Sequence, residues 1–328
     1  LSMDILENLK ECLESGWVST GGRFIPEFEG KVIKYMKTKY AAGVQSGTAG
    51  LHMSLQVLGV QRDEEVIAPT LTFIAAVNPI TYLGANPVFI DCDDSLCMDP
   101  LKLEKFCSEE CDYIDGVLIN KKTKRKIRAL VVVHVFGNMA DMEKIMDITK
   151  KYNLKVLEDA TEALGTYYTE GKYKGKYAGT IGDIGVLSFN ANKIITTGGG
   201  GMVVGDNEEL VEKVRFLSSQ AKKDPLYFIH DEIGYNYRML NLQAALGTSQ
   251  IDQLESFIET KIKNYKIYKE ELEKIDGLEI LPFRDGIRAN HWFYSLKIDK
   301  EKYGIGRDEL LKKLVESNIQ TRPIWGLI

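Results

Sequence analysis

Seven short apolar runs recur through the first two thirds of the chain, and they constrain its fold more than any other feature. They are Tyr40–Val44, Glu65–Ala68, Pro87–Asp91, Ala129–Val133, Lys155–Glu158, Gly185–Ser188 and Gly201–Val204. Several carry almost no polar alternation, as strands covered on both faces must. Between them lie helical patterns at Thr48–Leu58, Ala75–Leu83, Met142–Tyr152 and Glu208–Leu217. Strands alternating with helices predict an α/β fold, a mainly parallel central sheet flanked by helices. Beyond Leu240 the texture changes. A helical stretch without proline runs from Leu240 to Ile275, followed by strand-like Leu278–Leu281 and Trp292–Ile298 and a helix at Asp308–Glu316. The expected organisation is a large domain over residues 3–240 and a long helix with a smaller α+β domain over residues 241–328, in keeping with a length of 328 residues.

Composition closes off other classes. Hydrophobic residues make up 44% and charged residues 27%, too apolar for a disordered chain and too charged for a membrane protein. A net charge of −5 argues against a general nucleic-acid binder. The basic run Lys121–Arg128 lacks the interleaved aromatics of a nucleic-acid patch and reads as a solvated hairpin turn. Five cysteines without a CxxC pair suit free thiols in a reducing compartment, and the N-terminus lacks the layout of a signal peptide, so a cytoplasmic location is expected. The four histidines form no HExxH or similar ligand pair, and no metal site is expected.

Three motifs carry chemistry. The first, Gln45-Ser46-Gly47-Thr48-Ala49-Gly50, stands between a strand and a helix, where free N–H groups can hold an anion and Thr48 adds a hydroxyl. A Ser or Thr here is also an ordinary N-cap. The second, Leu157-Glu158-Asp159-Ala160, ends an apolar strand, and ligands gather at the carboxyl ends of strands in open α/β sheets. A loop carboxylate capping the next helix is the plainer alternative. The third runs from Ser188 through Lys193 to Gly201: one lysine after a buried-looking strand and before a glycine run. Most lysines are solvated, but one in an apolar or cationic environment can react with an aldehyde. A reactive lysine, an acid for a ring nitrogen and an anion cradle together are what pyridoxal 5′-phosphate requires.

The chain resembles the DegT–DnrJ–StrS nucleotide-sugar aminotransferases, enzymes of the fold type I, aspartate aminotransferase-like architecture. The resemblance covers nearly the whole chain: Gly16–Gly21 with Phe28-Glu29, the SGTAGL segment from Ser46, Ala68–Phe73, Glu158-Asp159-Ala160, the block from Gly182 to Gly201, and Gly234–Met239 with Gln243-Ala244-Ala245. It implies that Lys193 bonds the cofactor aldehyde and shuttles the proton, and that Asp159 partners the pyridine nitrogen. Gly47, Thr48, Ala49 and Ser188 would cradle the phosphate, and Phe73 would stack on the ring unless it is simply a core residue. Asn236 would reach the phosphate of a neighbouring subunit, implying a homodimer with shared active sites. Arg238 would serve substrate, or the interface as a salt bridge. Where relatives carry Gln or His near the ring oxygen, this chain has Glu162, whose charge would repel that oxygen unless protonated or turned away.

The resemblance leans toward the legionaminic acid and bacillosamine branch. It implies amino transfer from L-glutamate to a UDP-linked 4-keto-6-deoxy 2-acetamido sugar, for bacterial surface-glycan or nonulosonic acid biosynthesis. Relatives continue past the residue equivalent to Ile328, so a shortened C-terminal domain is expected. Two alternatives stay open: a sugar dehydratase on the same fold, and a non-catalytic PLP-binding regulator. A nicotinamide oxidoreductase is disfavoured, since no GxGxxG follows the first strand. Trp17, Ser19, His230, His291 and Arg322 are further residues that could touch substrate, each with an adequate role as core, cap or surface.

Overall fold

The computed structural model describes residues 3–224 and 226–328. Helices α1 (Met3–Ser15) and α2 (Phe24–Met36) precede the sheet. The chain then forms β1 (Tyr40–Val44), α3 (Gly47–Val57), β2 (Glu65–Pro69), α4 (Asn78–Tyr82), β3 (Asn86–Ile90) and α5 (Pro100–Lys105). A meander of β4 (Cys111–Ile114), β5 (Val117–Asn120) and β6 (Lys126–Val133) leads to α6 (Met142–Lys151), β7 (Lys155–Asp159), β8 (Tyr167–Tyr168), β9 (Ile184–Ser188), β10 (Gly201–Gly205) and α7 (Glu208–Ser218).

The main sheet has the order β1-β10-β9-β7-β6-β2-β3, with the β4–β5 hairpin attached through β5 to β6. The pairs β9–β7, β7–β6, β6–β2 and β2–β3 are parallel, whereas β10 runs against both β1 and β9. The seven expected strands are all present and the fold is α/β as read. The basic run is the turn between β5 and the start of β6, closed by Lys124 N–H donating to Asn120 O at 2.8 Å. Strands β2, β9 and β10 are buried along their whole length, which is why their sequences do not alternate.

Three expectations are corrected. The helix expected at Ala75–Leu83 is a 3₁₀ turn, Ile74–Ala76, and then short α4, because Pro79 in the first turn of α4 supplies no N–H to continue an earlier helix. The long helix from Leu240 is two: α8 (Asn241–Gln250) and α9 (Leu254–Leu272), separated by a 3₁₀ turn at Ile251–Gln253. Helix α8 is buried against α1 and α2 and α9 is mostly exposed, so the axis bends where the chain leaves the core. The strand expected at Trp292–Ile298 pairs only over Leu296–Ile298, because Asn290 ties the preceding chain to Glu162 O and Leu164 O and His291 takes a left-handed φ of 54°.

The carboxyl ends of β1, β7 and β9 meet at one edge, and two glycines let them approach. A Cβ on Gly201, at the start of β10, would lie 2.7 Å from both Gly47 N and Ser46 C. A Cβ on Gly47 would meet Thr161 Cγ2 at 3.0 Å and Ser188 Cβ at 3.1 Å. The glycine run therefore serves strand packing behind the Ser46–Gly47 turn. Gly201→Ala is expected to cost about 1–3 kcal/mol through overpacking, measured by urea unfolding.

Candidate active site

Ser46 caps α3, its Oγ accepting from Ala49 N–H at 3.0 Å. The first-turn amides of this eleven-residue helix, at Gly47, Thr48 and Ala49, stand beside Ser188 at the end of β9 and Thr161 after β7. Small groups, hydroxyls and a helix N-terminus thus share one edge, the chemistry of an anion cradle.

Asp159 is the last residue of β7 and is 4% exposed. Its Oδ1 accepts from Thr161 N–H at 3.1 Å. Burial pushes its carboxyl above the usual range, while Thr161 and the Lys193 ammonium pull the other way. A strand sends successive side chains to opposite faces. Its neighbour Glu158 is accordingly held on another set of groups: His134 at 2.9 Å and the backbone N–H groups of Gly179 at 2.9 Å, Ile181 at 2.6 Å and Gly182. Ala140 N–H donates to His134 Nδ1, so the His134 proton sits on Nε2 and points at Glu158. Burial raises the Glu158 carboxyl, but these donors win and leave it lowered.

Lys193 Nζ lies 3.6 Å from Glu162 Oε1 and 3.9 Å from the ring centroid of Trp292. Its side chain is 13% exposed, not the solvated surface lysine that its residue type alone would suggest. Glu162 is turned toward Lys193, and its Oε2 accepts from Phe136 N–H at 2.8 Å. Burial pushes the Glu162 carboxyl up to about 7, against the pull of Lys193. The folded protein therefore holds the Glu162 proton where the unfolded chain has lost it. This contribution to stability is full below pH about 4.5 and is lost as pH rises toward about 7. Protein without cofactor is expected to melt progressively lower over that window, with a shallower slope for Glu162→Gln in pH-resolved thermal unfolding.

Phe73 is 54% exposed, so it is not a core residue. Its ring faces Trp325, which packs on Phe136 at 4.8 Å between centroids. Asn236 is exposed, between Tyr235 and Tyr237 with rings stacked 5.0 Å apart. This segment runs beside the cradle, since Gln45 N–H donates to Tyr237 O at 2.8 Å. Arg238, expected to serve substrate or an interface, follows in the same segment. It is largely buried, ion-paired to Glu29 at 2.9 Å within its own chain, and Glu29 also pairs with Arg215 at 2.8 Å. Trp17 is exposed and His291 is packed between Tyr265 and Phe283, where burial lowers its pKa to about 4.

Sequence reasoning missed Thr161, His134, Phe136, Trp292 and Trp325 as neighbours of the site. Only Thr161 had a local signal, as the small residue directly between Ala160 and Glu162.

Fold and site together define a PLP-dependent aminotransferase. The sequence profile of the DegT/DnrJ/EryC1/StrS aminotransferase family matches residues 1–328, and the chain belongs to that family. Among its relatives is the GDP-perosamine synthase of Escherichia coli O157:H7, 38% identical over 97% of this chain and 81% of that protein. Another is the UDP-4-amino-4,6-dideoxy-N-acetyl-beta-L-altrosamine transaminase of Campylobacter jejuni, 33% identical over 92% of this chain and 76% of that one. The solved structure of Helicobacter pylori PseC, an aminotransferase of pseudoaminic acid biosynthesis, aligns with a TM-score of 0.86 at 25% identity, over 100% of this chain and 83% of that one. The residues present fit the cofactor: an anion cradle that a Cβ on Gly47 would crowd, a buried carboxylate in need of a cation, and a partly enclosed lysine on one edge.

Proposed function

We propose that this chain moves the amino group of L-glutamate to the keto carbon of a 4-keto-6-deoxy nucleotide sugar, with a UDP-linked 2-acetamido-4-keto-2,4,6-trideoxyhexose as acceptor. The observation that carries the reading is Lys193, held out of bulk water within reach of Glu162 and the charge of Asp159 at the carboxyl edge of the sheet. Bound pyridoxal phosphate supplies an aldehyde and an electron sink for a carbanion beside the amine. Gly47, Thr48, Ala49 and Ser188 hold its phosphate. Asp159 would keep its ring nitrogen protonated, and Phe73 would flank its ring. Lys193 Nζ takes the α-proton of glutamate in the first half-reaction and returns a proton to the sugar carbon in the second. Two half-reactions on one lysine give ping-pong kinetics.

A lysine at this position favours transamination over the dehydratase alternative, whose known relative has His in its place. Shared sites in a homodimer are part of the proposal. Asn236 is exposed, and the nearby hairpin of β11 (Lys222–Asp224) and β12 (Ile229–His230) presents exposed Leu226, Tyr227 and Phe228. A GDP-linked acceptor is the second reading, favoured by the 38% identity to GDP-perosamine synthase. Incubation with PLP, glutamate and a panel of UDP-, GDP- and dTDP-linked 4-keto-6-deoxy sugars tests the proposal, with mass spectrometry and NMR of the product. Formation of 2-oxoglutarate with an aminated UDP sugar is expected. Amination of the GDP sugar alone selects the second reading, and sugar deoxygenation without amination overturns both.

A further inference from the structure

Trp292 reaches the site from the segment where only its neighbour His291 was expected to meet substrate. After β13 (Leu278–Ile280) and β14 (Ile287–Arg288), and before β15 (Leu296–Ile298) pairs with β13, the segment Asn290-His291-Trp292 leaves the strand path. The fully buried Asn290 ties it to the segment after β7: its Nδ2 donates to Glu162 O at 2.9 Å and Leu164 O at 3.0 Å, and its N–H to Thr166 Oγ1 at 3.0 Å. Asn290 Oδ1 accepts from Trp292 N–H at 2.9 Å, setting the direction of the tryptophan. Trp292 is 4% exposed, and Phe293 stacks on it with centroids 3.8 Å apart.

The indole then makes two contacts with one target. Its Nε1 donates to the carbonyl of Asn192 at 2.8 Å, fixing the peptide next to Lys193. Its face receives Lys193 Nζ at 3.9 Å from the centroid. A cation over an indole face is held by the ring quadrupole, most strongly where water is scarce. The charged groups facing Nζ are Glu162 at 3.6 Å and Asp159, both already described.

We propose that Trp292 is a positioning residue for Lys193: its N–H anchors the lysine's loop, and its face, with Glu162 alongside, seats the lysine ammonium whenever Nζ is not bonded to the cofactor. The inference rests on the assignment of Lys193 made above. A seated amine stays near the reacting carbon between proton transfers. An unseated one swings into the open edge of the site and must return before each transfer.

The test uses the chain without cofactor, where Nζ is free. Lys193 is labelled by reductive methylation and followed by peptide mass spectrometry from pH 7 to 10. Removing the seat in Trp292→Leu is expected to speed labelling roughly tenfold, while Trp292→Phe, which keeps an aromatic face, stays nearer wild type. Because Trp292→Leu could unfold, the chain is also made with 4-fluoro-, 5,7-difluoro- and tetrafluorotryptophan. These keep shape and N–H while draining the ring face, and labelling of Lys193 should climb along the series. A second expected result, in the holoenzyme, is a several-fold fall in kcat for Trp292→Leu with KM for glutamate little changed. A flat fluorotryptophan series, or equal labelling of wild type and Trp292→Leu, overturns the seat. Borohydride trapping separates the two claims: trapping of cofactor on a lysine other than Lys193 overturns the assignment of Lys193, and the seat falls with it. Trapping on Lys193 with a flat series overturns the seat alone.

Discussion

Lys193→Ala loses the visible absorbance of lysine-bound pyridoxal phosphate and loses turnover by about 10⁴-fold or more, because nucleophile and proton carrier are the same atom. The fold should survive the change. Lys193 contributes a 3.6 Å contact to Glu162 and a cation over Trp292, while the surrounding peptide is held by Trp292 Nε1 and by Thr197 N–H donating to Phe189 O at 2.9 Å. Without the ammonium, Glu162 loses the charge that opposes burial and is expected to hold its proton to higher pH. Absorbance and glutamate-dependent 2-oxoglutarate formation check the prediction. Either signal persisting at wild-type level would remove Lys193 from its role.

Asp159→Asn is the second large effect. The buried carboxylate is short of positive charge, as its raised pKa shows, and a protonated ring nitrogen supplies one. An amide of the same shape leaves that nitrogen without an anionic partner and weakens the electron sink. Turnover should fall by roughly 10²–10⁴-fold, with weaker PLP affinity, as expected when an oriented electrostatic partner is removed. The absorbance of lysine-bound cofactor should persist at saturating PLP, since Lys193 is untouched, and this separates the variant from Lys193→Ala. Spectral titration with PLP and steady-state kinetics give the two readouts.

The sheet was legible because full burial writes itself into sequence: Ile184–Ser188 and Gly201–Gly205 have no exposed face to mark with a polar residue. The sense of β10 was not legible, since an apolar strand reads the same in either direction. The break between α8 and α9 left no proline or glycine signal at Ile251–Gln253. It follows from where the core ends. In the site, Asp159 could be picked out by its place at the end of an apolar run and Lys193 by its setting between a strand and glycines. Glu162 emerged only by contrast with relatives. Trp292 was hidden inside an expected strand. Asn290 spends its side chain on the backbone of Glu162 and Leu164, and His291 adopts a left-handed φ of 54°, so pairing resumes only at Leu296. Nearness of His134 to Glu158 and of Trp325 to Phe73 is a product of tertiary packing, which no local pattern encodes.

The placement of reversed β10 between β1 and β9 has a consequence for the chain as it leaves the ribosome. Among the described residues, strand β1 pairs with β10 and with no other strand of the sheet. The segment Tyr40–Val44 must therefore wait for a partner roughly 160 residues downstream, about 10–30 s at ordinary rates of synthesis. Throughout that interval an apolar strand and the neighbouring Ser46–Gly47 turn lack the surface they pack on. The central parallel strands, by contrast, find neighbours much sooner. Nascent chains stalled before Gly201 should be protease-sensitive around Tyr40–Val44, and those stalled after α7 has emerged should be protected there. The anion cradle is thus completed only after Gly201 has emerged, and newly made chains gain the ability to hold the cofactor no earlier than that.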